Sequence, residues 1–155
     1  MTNQTHLFKI QLDWNLATNE INRKRISRNH KISIEGKQDF EVSAAKVFKG
    51  DATLPNPEDL LLTSLASCHF MSFLYCCSIN QIELLSYSDF PEAYLEVEPS
   101  GKGKIYKVIL NPNFTISDEN KMDLAINLHK KANELCFIAN SCNFQVIHQP
   151  IAIIA

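Results

Sequence analysis

The chain predicts an α+β fold with antiparallel sheet wrapped around a long central helix. Three observations predict it. Short segments with strand-like alternation lie on both sides of the chain's middle. A stretch opening at Asn56-Pro57 is apolar nearly all round, the pattern of a covered helix. A further stretch after Ser117 is apolar on one side only. In order these read β-β-β-α-β-β-α-β, strands and helices too mixed for a pure class. With 155 residues, a single domain over 1–155 is expected.

The first strand is expected over Leu7–Trp14, where Leu7, Lys9 and Gln11 alternate with Phe8, Ile10 and Leu12. Asn15–Asn22 reads as a polar turn. His30–Ile34 reads as a strand, Gly36-Lys37 as a turn and Phe40–Ser43 as the hairpin partner. Lys49–Pro57 is a loop with two prolines and a glycine. The helix then starts on strong signals. Asn56 suits the cap, Pro57 needs no N–H donor in the first turn, and Glu58 and Asp59 face the positive end of the dipole. It is expected to run to about Cys77. Six polar positions between Leu60 and Ile79 (Thr63, Ser64, Ser67, His69, Ser72 and Ser78) favour a core helix over a membrane span. Two strands follow, at Ala93–Glu98 and Lys104–Leu110 with a turn at Pro99–Gly103 between them, and then a short third candidate around Phe114. Ser117-Asp118-Glu119 starts the second helix, expected to end near Cys136. Phe144–His148 reads as a last strand.

Composition excludes several functions. Fifteen basic residues against 17 acids leave a net charge of −2, which argues against a protein built around nucleic acid. The basic run Arg23–Lys31 has no interleaved aromatics and reads as a solvated face. Four glycines (Gly36, Gly50, Gly101 and Gly103) draw neither a dinucleotide fingerprint nor a Walker loop. The first ten residues have no basic start, apolar run or cleavage site, so a cytoplasmic protein without membrane contact is expected. There thiols stay reduced, and the five cysteines are not a disulfide framework. Their spacing suits no structural zinc site, since Cys136 and Cys142 are six apart and Cys76 and Cys77 adjacent. Taken alone, each cysteine reads as a small buried hydrophobe. His69, His129 and His148 read as packing or surface histidines, having no spaced partner.

Two motifs change the reading of the cysteines. Asn56-Pro57-Glu58-Asp59-Leu60-Leu61 is followed by Ala66-Ser67-Cys68-His69. In the second half stand His129, Ala132-Asn133-Glu134-Leu135-Cys136 and Asn140-Ser141. Trp14, the Lys37 hairpin and Phe48-Lys49-Gly50-Asp51 add to the pattern. Over nearly its whole length the chain resembles the OsmC/Ohr family. That resemblance implies an intertwined homodimer and a thiol peroxidase reducing organic hydroperoxides. It makes Cys68 the peroxidatic and Cys136 the resolving cysteine, with Glu58 and an arginine ordering the thiolate. An external thiol or dihydrolipoyl reductant would recycle them, with no cofactor or metal. The thiolate would attack the O–O bond, become a sulfenic acid and condense with the second cysteine. A non-enzymatic binder of a small apolar ligand on the same fold is the alternative.

The chain departs from the family pattern in two places. Phe137 stands where a proline usually follows the second cysteine, and Asn22–Asn29 replaces a glycine-rich arginine loop. Arg25 and Arg28 are the candidate arginines; Arg28, beside the strand, is preferred. Leu65, Phe70, Phe73 and Phe144 are expected to wall the pocket. Ten helical residues separate Glu58 and Cys68 by about 15 Å along the axis. Either the Glu58 end is unwound, or Glu58 and the arginine come from a second subunit; the second is expected.

Overall fold

A computed structural model describes residues 3–16, 20–22 and 25–155, with only the backbone at 20–22 and 25. The chain forms two compact units, Met1–Leu60 and Leu61–Ala155. Arg23 and Lys24 of the basic run lie outside the described residues.

In the first unit β1 (Gln11–Asp13), β4 (His30–Ser33) and β5 (Phe40–Val42) make an antiparallel sheet in the order β1-β4-β5. The Gly36 turn joins β4 to β5; Gly36 has φ +74, and Lys37 N–H closes on the Ile34 carbonyl at 3.0 Å. A second pair, β2 (Glu20–Asn22) with β3 (Arg25–Ile26), forms partly where a polar turn is expected. The first strand is shorter than its alternation suggests, and Gln11–Asp13 is exposed throughout. The loop after β5 tightens into a 3-10 turn at Lys46–Phe48. Gly50 is obligatory there, because a Cβ would lie 1.6 Å from the Ala44 carbonyl oxygen.

Helix α1 runs unbroken over Pro57–Ile79. Its start is a reciprocal cap. Asn56 Oδ1 accepts the Asp59 N–H at 2.9 Å, and Asp59 Oδ2 accepts the Asn56 N–H at 3.1 Å. By length and composition it is also apolar enough to cross a membrane. Instead a stripe at Leu65, His69, Phe73, Cys76 and Cys77 is buried in the fold.

In the second unit β6 (Leu84–Asp89), β7 (Glu92–Val97), β8 (Gly103–Leu110) and β9 (Pro112–Ile116) precede helix α2 (Met122–Leu135). A four-residue helix α3 (Phe137–Asn140), β10 (Gln145–His148) and β11 (Ile151–Ile154) follow. The sheets are ordered β10-β8-β7 and β11-β9-β6. β6 and β11 were not among the expected strands. The antiparallel expectation needs correction too, since β10 runs parallel to β8 and β11 parallel to β9. The helical stretch after β9 is the crossover that parallel pairing requires.

Two cores result. In one, Phe73, Cys76 and Cys77 pack with Ile82, with Phe114 and Ile116 of β9, and with Ala125, Leu128 and Ala132 of α2. In the other, Leu65 packs with Val108 and Leu110 of β8 and with Cys136. The expectation that α1 is covered on all sides fails for the chain by itself. Met71 and Tyr75 remain 59% and 57% exposed, and Leu74 and Ile79 are exposed beside them.

Candidate thiol site

Cys68 lies in the middle of α1, half-buried, among the side chains packed on the Leu65 core. Cys136 is the residue at which α2 stops and α3 begins, and it is fully buried. Its backbone is extended (φ −73, ψ 109), which turns the chain between the two helices. Its Sγ accepts the Ala139 N–H at 3.4 Å, capping α3. The two thiols, far apart in sequence, belong to one apolar cluster. Burial pushes the Cys136 thiol up to about 11; the Ala139 amide opposes that, and the nearby Cys68 reinforces it. Leu62, Leu65, Ala66, Ile105, Ile138, Phe144 and Val146 close an apolar shell around them.

Two of the expected pocket walls, Leu65 and Phe144, are in that shell. The other two are not. Phe73 is buried in the other core with its ring stacked on His129 at 3.9 Å, and Phe70 packs on Tyr87 at 4.7 Å. Helical rotation explains this, because positions 70 and 73 leave the face that carries 65 and 68.

Arg28 belongs to the first unit and is exposed; its guanidinium donates to the Lys49 carbonyl at 3.4 Å. Neighbouring Asn29 is held by Ser43, whose hydroxyl donates to Asn29 Oδ1 at 2.9 Å and accepts the Asp51 N–H at 3.0 Å. Those bonds tie Asn29, next to Arg28, to Asp51 through Ser43. The Arg25 side chain is outside the described residues. Glu58 sits in the first turn of α1, so the unwound arrangement does not occur. Its Oε2 is buried and has no hydrogen-bond partner among the described residues, Arg28 included. The structure therefore brings Cys68 and Cys136 together and leaves Glu58 without its arginine.

An OsmC-like protein model matches residues 50–149, most of the chain and all of the thiol site. The chain belongs to the OsmC-like family. Solved OsmC-like folds span nearly all of it. An OsmC-like protein of unknown function from Vibrio cholerae is 25% identical over 95% of this chain and 100% of that one, with a TM-score of 0.85. The organic hydroperoxide resistance protein OsmC of Legionella pneumophila is 19% identical, covering 97% and 98%, with a TM-score of 0.71. The organic hydroperoxide resistance protein OhrB of Bacillus subtilis is 20% identical, covering 94% and 98%, with a TM-score of 0.66. No curated protein matches the sequence.

The histidines were missed as a group. His69, His129 and His148 come from α1, α2 and β10 and meet inside this OsmC-like fold. Nothing in their spacing signals it, since the first two are 60 residues apart.

Proposed function

We propose that this OsmC-like protein is a cysteine-based peroxidase for organic hydroperoxides, with Cys68 the attacking and Cys136 the resolving thiol. The placing of both thiols in one apolar cluster carries the reading. Cys136, kept protonated by burial, stands beside Cys68 as its partner. The Cys68 thiolate attacks the O–O bond of ROOH. A proton is taken up, ROH leaves, and Cys68 becomes a sulfenic acid. Cys136 condenses with it, forming the disulfide and releasing water. A dithiol of dihydrolipoyl type returns both thiols to the reduced state. The shell of Leu62, Leu65, Ile105 and Phe144 suits an apolar R group over hydrogen peroxide.

The arginine belongs to the same proposal. A half-buried carboxylate with an unpartnered oxygen asks for a donor. Arg28 supplied by a second copy answers that need in an intertwined homodimer, and the exposed apolar stripe of α1 supports the assembly. The protein then works in the cytoplasm with no nucleic-acid or membrane partner. The test is consumption of cumene hydroperoxide with a dithiol reductant. Wild type turns over, and Cys68→Ser falls to the uncatalysed rate. Equal rates would overturn the peroxidase and favour a non-enzymatic binder of apolar ligands.

A further inference from the structure

Three imidazoles lie inside the second unit. His69 and His129 are fully buried, and Nε2 of the first is 2.9 Å from Nδ1 of the second. The His148 ring stacks on His69 at 4.5 Å with 28° between planes. On its other side His129 stacks on Phe73 and packs near Phe114 at 5.2 Å. The contacts join α1, α2 and the end of β10, where His148 is the last ladder residue before the Gln149-Pro150 link to β11.

The hydrogen-bond count is incomplete. A neutral imidazole has one N–H, so the His69–His129 pair shares one N–H···N bond whichever ring donates. Among the described residues the outward nitrogens, His69 Nδ1 and His129 Nε2, find no partner, and neither does His148 Nε2. Near-parallel stacking keeps the three rings from converging on one ion. The group is therefore a polar cluster that is tolerable only while uncharged.

We propose that His69, His129 and His148 form an acid-sensitive latch that holds β10 and β11 to the two helices and opens when a proton enters it. Among the described residues no carboxylate meets the unpartnered ring nitrogens. The titratable groups of the core around Phe73 are Cys76 and Cys77 of α1 and Tyr87 of β6, all held neutral by burial. The Asp89 carboxylate near Tyr87 is engaged by the Tyr87 hydroxyl and the Asn111 N–H. β9 contributes Phe114, which is apolar. Burial holds His69 down at about 3 and His129 at about 4, with the charge of His148 pushing the same way, and holds His148 below the ordinary histidine value.

The sign follows from linkage. The closed form refuses protons that the open form binds at the ordinary value near 6.5. The latch is at full strength above that pH and weakens as pH falls below it. For a histidine held as low as His69, opening is favoured about 30-fold between pH 7.5 and 5. β10 is the element to move, because it is four residues long and at the edge of its sheet. Its Val146 packs on the shell around Cys136, so opening also unseals the thiols.

Amide hydrogen exchange of the whole protein between pH 7.5 and 5, corrected for intrinsic rates, tests this without reference to peroxidase activity. Peptides covering 144–154 should lose at least 30-fold protection while those covering α2 and β8 keep theirs. His148→Phe, which stacks without titrating, should remove only the share of the pH dependence that His148 adds and leave that of His69 and His129. Imidazole nitrogen spectra supply the second readout. The three rings should stay neutral to pH 6, with each protonation appearing together with the exchange change. Ordinary titration near 6.5 with β10 protection unchanged would overturn the latch, as would unchanged protection and spectra down to pH 5. Simultaneous loss of protection across the whole unit would also overturn it.

Discussion

At Cys136 several forces act on one proton. Burial keeps it on sulfur, nearby Cys68 adds to that, and the Ala139 amide pulls the other way. A residue so placed is a poor first nucleophile and a good resolver, since it becomes reactive only when Cys68 has been oxidised beside it. Cys136→Ser should accordingly leave the first step intact and stop the second. After one equivalent of hydroperoxide, dimedone should label Cys68 in that variant and not in wild type; no label in either would contradict the assignment. Cys68 and Cys136 were legible as candidates because two local motifs mark them, and the family resemblance implied that they meet. The histidine cluster had no such marker. Its members have no common motif, and only the packing of α1, α2 and β10 makes them neighbours. Arg28 was legible as a candidate, and its observed bond is to Lys49, not Glu58.

Among the elements, helix ends were readable and strand pairing was not. The start of α1 is fixed by side chains within four residues of each other, so Asn56 and Asp59 announce it locally. Asn56→Ala should cost about 1 kcal/mol, lowering Tm by about 2–4 °C for a chain of this size. An unchanged Tm in calorimetry would show that the cap is dispensable. The β6 sequence Leu84-Leu85-Ser86-Tyr87-Ser88-Asp89 escaped because its alternation is weak and its ladder with β9 shifts register between Leu84 and Ser86. β11 escaped because Ile151–Ile154 follows a proline and is short. The parallel ladders of β10 with β8 and β11 with β9 depend on the crossover through α2, a long-range arrangement that local periodicity does not encode.

On the scale of the molecule, the face of α1 bearing Met71, Leu74, Tyr75 and Ile79 is too apolar to belong in water. The all-round apolar pattern was read as a helix covered on every side within the fold; the chain covers one stripe, and a second copy is proposed for the rest. Sedimentation should give twice the 17.6 kDa chain mass, and Met71→Glu with Tyr75→Glu should give the single mass. A wild type that sediments as one chain would remove the proposed source of the second arginine. Intact mass with peptide mapping reads the two thiols directly. One equivalent of cumene hydroperoxide should oxidise wild type by the loss of two hydrogens, with one disulfide joining Cys68 to Cys136 and with Cys76, Cys77 and Cys142 still reduced. Five unmodified thiols, or a disulfide that omits Cys68, would contradict the account.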